Sequence, residues 1–445
     1  LGCSQREVEP DQKLIDAKNE MMQRLCFNKS SSGKPTHSNI PDLKEPSEAK
    51  SPLKRKVKKK KGKAAGGDSI AGGDSISTKT KVTPLAQASR RRLHCNNRKV
   101  SAWSYEMFGH INQTVDRYLE LSGKDRTSLN MKAATPCIDD HLIPPEEFEV
   151  KGALSPIAAR VVLKALYVAR IARYDLMWTV NMLAREVTRW TQACDRRLHR
   201  LISYMHQTAE HAQLCFVGDR PSECWLTLFS DASFAGDLRD SKSTSGGLLA
   251  LVGPKTFVPV SWLCKKQGAV SHSTAEAEVI SLDSGVRLEG IPALNLWSLV
   301  IDVFEPLSKP KGPSEITFLE KLTLRQTYDL FGAIDYVPPS LPICLGRGRL
   351  YCLEDNDAVI KMIVKGRSPN LRHVGRTHRV DLDWLFERIR NDPGIFVKYV
   401  GTKEQLADIL TKGSFTADAW NTLLNLCLIS SPDSRKYLNT LKPLK

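Results

Sequence analysis

Around residues 218 to 223 the apolar period of this chain changes from that of a helix to that of a strand, so the fold must combine both kinds of layer. From Ile157 to Thr208 apolar residues recur three and four apart: Leu163, Leu166, Tyr167 and Ile171; Leu176, Val180, Leu183, Ala184 and Val187; Cys194, Leu198, Leu201, Ile202 and Met205. This spacing predicts three packed helices, with Tyr174-Asp175 opening the second and Thr191 capping the third. Beyond Gly218 to Glu223 the period is two over Trp225 to Ser230, Gly247 to Val252 and Thr256 to Trp262. These segments read as a meander whose last turn is Gly253-Pro254. Pro259 has no N–H for a ladder, so its strand is expected at an edge or bulged there. Ser273 or Thr274 then caps a helix carrying Glu276 and Glu278. Further strands are expected at Leu350 to Glu354 and Ile395 to Val400, and helices at Asp357 to Lys365, Thr377 to Arg390 and from about Lys403. The fold class is α/β, a five-stranded mixed sheet with flanking helices and a small helical segment before it.

Charge is unevenly spread. Residues 1 to 100 carry 23 Lys/Arg against 10 Asp/Glu, whereas the other 345 carry 42 against 39. The first hundred are rich in Lys, Ser, Gly and Pro and offer too few apolar positions to offset ordering entropy, which predicts a disordered basic arm. Its runs Lys54 to Lys61 and Arg90 to Lys99 suit non-specific contact with nucleic acid or nuclear import, and equally a solvated linker. With 41% apolar residues the chain can bury a large core. Eleven cysteines, without a C-x-x-C pair, argue against a zinc knuckle or a disulfide framework and for an intracellular place, cytoplasmic or nuclear. The longest apolar stretch, Gly290 to Phe304, is interrupted by Asn295 and Asp302 and is too short for a bilayer, so no membrane partner is expected. Leu1 in place of a Met suggests a piece of something longer.

Four acids stand out by context. Asp231 ends the first strand, and Asp355 repeats the arrangement after Leu350-Tyr351-Cys352-Leu353-Glu354. One such residue is ordinarily a turn or cap aspartate, but two strand-end carboxylates in one sheet can share a site. Glu276 and Glu278 point about 200° apart on a helix, so only one can join it. Asp408 sits among apolar neighbours in Gln405-Leu406-Ala407-Asp408-Ile409-Leu410, unlike a solvated aspartate. Gathered carboxylates repel one another unless cations hold them, and Mg²⁺ prefers oxygen ligands of this kind. Two such ions clamp the attacking and leaving oxygens of a phosphodiester.

Several stretches carry a family resemblance: Ser230-Asp231-Ala232-Ser233-Phe234-Ala235-Gly236-Asp237 with Arg239-Asp240-Ser241-Lys242-Ser243-Thr244-Ser245-Gly246, then Val260-Ser261-Trp262 with Lys265-Lys266-Gln267, then Ser273-Thr274-Ala275-Glu276-Ala277-Glu278. They continue with Glu354-Asp355-Asn356, Arg376-Thr377-His378-Arg379-Val380-Asp381 and Gln405-Leu406-Ala407-Asp408-Ile409-Leu410-Thr411-Lys412. In this order they resemble the ribonuclease H part of the polyprotein of copia-type long-terminal-repeat retrotransposons. Residues 101 to 215 then look like the family's connection after reverse transcriptase, and 220 to 430 like its ribonuclease H domain. The resemblance implies a ribonuclease H-like sheet that hydrolyses the RNA strand of an RNA/DNA hybrid, leaving a 3′-hydroxyl and a 5′-phosphate. It places Asp231, Glu278, Asp355 and Asp408 on the catalytic, metal-binding acids, with two Mg²⁺ ions as cofactor and Mn²⁺ as a substitute. It also decides for Glu278 over Glu276. Arg239, Lys242, Ser243, Thr244, Lys265, Lys266, Arg376 and His378 flank these acids and are the candidate contacts to nucleic acid.

The chain departs from the family in places. Ser233 stands where the family usually has a second aspartate, an insertion runs from about Phe304 to Gly348, and no histidine lies between Ile395 and Asp408. Cys137-Ile138-Asp139-Asp140 resembles a polymerase turn but lacks flanking apolar strands and runs into Pro144-Pro145. The rival expectation is therefore a catalytically inactive nucleic-acid-binding relic.

Overall fold

The computed structural model describes residues 2–27, 99–237, 239–306 and 346–431. The arm's basic runs from Lys54 to Arg98, and the insertion except at its ends, lie outside the described residues. Among the described residues one sheet holds β1 (Ser4–Val8), β2 (Ser101–Glu106), β3 (Ala212–Val217), β4 (Trp225–Ser233), β5 (Thr244–Gly253), β6 (Thr256–Lys266), β7 (Leu350–Glu354), β8 (Ile395–Tyr399) and β9 (Ile429–Ser430). Their order is β1-β2-β3-β6-β5-β4-β7-β8, with β9 also on β3. The five strands read from the sequence are contiguous as β6-β5-β4-β7-β8. Within them β4, β5 and β6 are antiparallel, while β7 runs parallel to β4 and β8 parallel to β7.

The expectation of five strands is corrected to nine among the described residues, because β3 joins β6 at Phe216–Phe257 and brings β2, β1 and β9 with it. β1 (SQREV) carries one apolar residue and β9 is two residues long, too little for a period-two pattern to show. Pro259 behaves as expected: the β5–β6 register shifts between Leu249 and Ala250, and Ser261 and Pro259 pair on either side of the unpaired Val260.

Alternation in the central strands divides the core in two. Trp225 and Phe229 of β4, Leu248 and Ala250 of β5, and Tyr351 and Leu353 of β7 enter one apolar cluster. Their neighbours Leu226, Leu228, Leu249, Leu350 and Cys352 enter the other. A sheet covered on both faces presents its functional groups at strand ends, where cover stops.

The first cluster is covered by α1 (Gln12–Phe27), α2 (Phe108–Ser122), α3 (Ala158–Ile171), α4 (Met177–Glu186) and α5 (Gln192–Gln207). The prediction that residues 1 to 100 are disordered is thereby corrected for Ser4–Val8 and Gln12–Phe27. Leu14, Ile15, Met21, Met22, Leu25 and Cys26 bury one face of α1, Phe27 packs edge-on against Trp225 and Tyr351, and Lys18 Nζ donates to Leu426 O at 2.6 Å. The three helices of residues 157 to 208 form as predicted, but α3 turns a different face inward. Leu163 is 59% exposed and Tyr167 and Ile171 are each 40% exposed, while Ala158, Val161, Val162, Ala165, Val168 and Ala169 are buried. A helix apolar around much of its circumference leaves the choice to packing, and here its smaller residues allow the closer approach.

The second cluster is covered by α6 (Thr274–Gly285), α7 (Ile291–Phe304), α8 (Asp357–Lys365), the single turn α9 (Val374–Thr377) and α10 (Leu382–Asn391). The helix expected from Thr377 to Arg390 is thus broken, with Arg379 at φ +57° and Asp381 capping the second piece through the Trp384 N–H. After β8 the chain makes a 3-10 turn, Leu406–Leu410, and ends its described part with α11 (Ala417–Cys427) and β9.

Candidate metal centre

Four elements from distant parts of the chain deliver acids to one end of the central strands. Asp231 lies near the end of β4 and is 2% exposed. Its strand is fixed at that level by Ser281 Oγ, which donates to Asp231 O at 2.7 Å, and by Gln405 Nε2, which donates to Ser230 O at 2.7 Å. Glu278 comes from α6, whose N-cap Ser273 accepts from the Glu276 N–H at 3.1 Å. Asp355 follows β7 directly. Carboxylate oxygens of Asp231, Glu278 and Asp355 all lie within 4.8 Å of one another, a group that could hold a metal ion.

Asp408 approaches from the turn Leu406–Leu410 and is tied in through a lysine. Lys412 Nζ is 2.6 Å from Asp408 Oδ1 and 3.6 Å from Asp231 Oδ1. Thr411 Oγ1 donates to Asp231 Oδ2. The turn can come this close because β5 carries a glycine, Gly246, opposite Asp231.

Reading the sequence missed a fifth acid. Glu354 is fully buried, and its charge interacts with Glu278, Asp355 and Asp231. Its Oε1 accepts from the Asn356 N–H at 3.2 Å, while Oε2, like Glu278 Oε2, has no hydrogen-bond partner. The signal was the adjacent pair Glu354-Asp355, of which a strand can direct only one toward each face.

Burial and mutual repulsion set the electrostatics. Burial, then Asp231 and Asp355, pushes Glu278 up to about 9. Burial and then Asp231 push Asp408 up to about 7, against the pull of Lys412. Burial, then Glu278 and Asp355, raises Glu354 well above its ordinary value, and burial and then Asp231 raise Asp355. Buried oxygens without partners, in a cluster this short of positive charge, match the needs of a divalent cation with oxygen ligands.

The two glutamates of α6 divide as their spacing requires. Glu276 is 1% exposed and faces histidines instead of the cluster, with His373 Nε2 at 3.1 Å and His378 Nε2 at 3.3 Å, and it accepts from the His272 N–H at 3.0 Å. The His378 side chain is only 2% exposed and lies against the buried Glu276.

Other candidate contacts are similarly engaged. Ser243 is buried and its Oγ accepts from the Ala235 N–H at 3.1 Å; Thr244, also buried, donates its N–H to Ser233 Oγ at 3.4 Å. Arg239 pairs with Glu186, Lys242 lies 3.7 Å from Asp240, and Lys266 pairs with Asp237 and, at 2.8 Å, with Asp240. Lys265 and Arg376 are exposed. Asp139, from the polymerase-like turn, caps a 3-10 turn and accepts from Ser414 Oγ, and Asp140 pairs with Arg197.

Among the described residues no helix is long and apolar enough to cross a membrane, and nine cysteines are free. No family model and no solved structure matches the chain. It is 32% identical over 152 residues to the retrovirus-related Pol polyprotein from transposon RE2 of Arabidopsis thaliana, covering 34% of this chain and 10% of that polyprotein. It is 26% identical over 295 residues to the Pol polyprotein from transposon TNT 1-94 of Nicotiana tabacum, covering 64% of this chain and 18% of that relative. A secreted RxLR effector protein 161 of Plasmopara viticola is 31% identical over 122 residues, which is 27% of this chain and 81% of that protein. The chain thus spans less than a fifth of the Pol polyproteins it matches. These matches place the origin of the chain in a retrotransposon Pol polyprotein.

Proposed function

We propose that the described part of this chain from about residue 220 to 430 is a ribonuclease H that cuts the RNA strand of RNA/DNA hybrids. The observation that carries this reading is the meeting of Asp231, Glu278 and Asp355 within 4.8 Å at the end of a mixed sheet. The contiguous strands β6-β5-β4-β7-β8 agree with the five-stranded sheet that the family resemblance implies.

Asp231, Glu278, Asp355 and Asp408 would hold two Mg²⁺ ions, or Mn²⁺ in their place. When bound, such ions supply Lewis acidity to the scissile phosphate and lower the pKa of an attacking water. The residues of the chain do the positioning. Ser281 and Gln405 fix the level of Asp231 on β4, Gly246 admits the turn bearing Asp408, and α6 keeps Glu276 turned away toward its histidines. Hydrolysis adds water across the phosphodiester: the new P–O bond forms, the bond to the 3′-oxygen breaks, and that oxygen takes a proton. Exposed Lys265 and Arg376 remain for the phosphate backbone, a contact independent of base sequence.

A second reading, a binding relic without cleavage, is favoured by one observation. Ser233, in place of a further carboxylate, serves the loop by accepting the Thr244 N–H. Incubation of the chain with a labelled RNA/DNA hybrid and Mg²⁺ separates the two. Cleavage that disappears in Asp231→Asn supports the nuclease, and retention of the hybrid without cleavage supports the relic.

A further inference from the structure

We propose that Lys412 is the internal counter-ion of the acidic cluster, competing with divalent cations for Asp231 and Asp408 and giving way when a cation binds. This rests on the metal-binding reading of the cluster given above. Its ammonium lies 2.6 Å from Asp408 Oδ1 and 3.6 Å from Asp231 Oδ1, so it bridges an acid of the sheet and an acid of the turn that follows β8. Neither Glu278 Oε2 nor Glu354 Oε2 has a hydrogen-bond partner, so the cluster keeps buried oxygens that Lys412 does not reach and that a cation would take.

Geometry allows the exchange. The Lys412 side chain is 35% exposed, whereas Asp231 beneath it is 2% exposed. The lysine therefore reaches the cluster from the open side and can swing back into water without disturbing the core. Asp408 is held by the backbone of its own turn, where its N–H donates to Gln405 O at 3.3 Å, and Asp231 keeps the Thr411 hydroxyl. Both acids thus stay in place when the ammonium leaves. Lys412 is in this sense a positioning residue: it holds the turn against the sheet before the cation does, and its removal trades early order for tighter cation binding.

The test is calorimetric titration of Mn²⁺ into the full chain, wild type, Lys412→Met, Lys412→Arg and Asp231→Asn, with thermal melts in chelator. Removing one unit charge a few ångströms from the ion is expected to tighten Mn²⁺ binding by about tenfold in Lys412→Met. The same variant should melt lower than wild type in chelator, and Lys412→Arg, which keeps the charge, should bind Mn²⁺ like the wild type. If Lys412→Met binds Mn²⁺ no more tightly than wild type while Asp231→Asn has lost it, the inference falls and the metal centre stands. If no variant and no wild type binds Mn²⁺, the metal centre falls with it. Should Lys412→Met fail to fold, Lys412→Gln is read in its place.

Discussion

Gly246 stands opposite Asp231 in the β4–β5 ladder, and a β-carbon on it would lie 2.3 Å from Thr411 Cγ2 and 3.2 Å from Ala407 O. The close approach lets the turn that carries Asp408 rest directly on the sheet beside Asp231. Gly246→Ala must push Thr411 away, which breaks its hydrogen bond to Asp231 and moves Asp408. The expected cost is that of local overpacking, about 1 to 3 kcal/mol by urea denaturation, together with weaker metal binding by calorimetry. Unchanged stability and affinity would show that the turn yields freely.

Asp231→Asn should separate stability from function. The carboxylate sits beside Glu278, Asp355 and Asp408 and has only Lys412 to offset them. An amide keeps an oxygen for Thr411 and removes one like charge. The melting point in chelator is expected to rise, on the order of 1 kcal/mol in stability. Hybrid cleavage and the stabilisation by Mg²⁺ should both vanish, and a melting point lower than wild type in chelator would contradict the repulsion argument.

Glu276 and Glu278 lie on one helix and should behave oppositely. Glu278→Gln replaces a buried carboxyl that keeps its proton in the metal-free fold and removes a ligand, so metal affinity is lost with little change in stability. Glu276→Ala leaves His373, His378 and the His272 N–H facing an empty place, and a loss of about 1 to 3 kcal/mol is expected, with metal binding retained. Chemical denaturation and Mn²⁺ titration of both variants check this, and the reverse outcome would exchange the two roles.

Much of this arrangement was readable because the central strands obey period two and end on acids. Trp225 to Ser230 and Leu350 to Glu354 are core strands by composition alone, and Asp231 and Asp355 stand at their ends. Choosing Glu278 over Glu276 needed the family resemblance, since spacing says only that the two face apart. Other features depended on contacts that a one-dimensional pattern does not carry. The stripe Leu14, Ile15, Met21, Met22 and Leu25 was present in the sequence, yet averaging composition over the first hundred residues hid it. On α3 several faces are apolar, and tertiary packing selected the one with Val161, Val162 and Ala165. Ser243, Thr244 and His378 were marked as substrate contacts by position alone; their partners in the fold, the loop backbone for the first two and the buried Glu276 for the third, are contacts that a one-dimensional pattern does not carry.

The N-terminal helix offers a test of its own. Lys18 is 1% exposed, donates to Leu426 O at 2.6 Å, and lies over the Phe257 ring at 4.0 Å from its centroid. Lys18→Ala leaves the carbonyl at the end of α11 without this donor and opens space against Phe257. A destabilisation of about 1 to 3 kcal/mol is expected, with faster proteolysis within residues 4 to 27. Wild-type stability would mean that α1 docks without this lysine.

The raised carboxyl groups fix how stability varies with pH. Glu278 moves from 4.5 to about 9 and Asp408 from 3.8 to about 7, and Glu354 and Asp355 move in the same direction. Between the ordinary and the raised values the folded chain keeps protons that the unfolded chain has released. Stability from these groups is therefore complete below about pH 4 and declines as pH rises toward about pH 9. Melts in chelator are expected to fall steadily from about pH 6 to about pH 9, and Asp408→Asn should flatten the part below about pH 7. Divalent cations compete with the same protons, so Mn²⁺ affinity should grow across this window and the melting point with saturating Mn²⁺ should no longer fall. A melting point in chelator that holds level or climbs over that range would mean that Glu278, Glu354, Asp355 and Asp408 stay ionised together in the folded chain, and that Lys412 alone suffices to hold them.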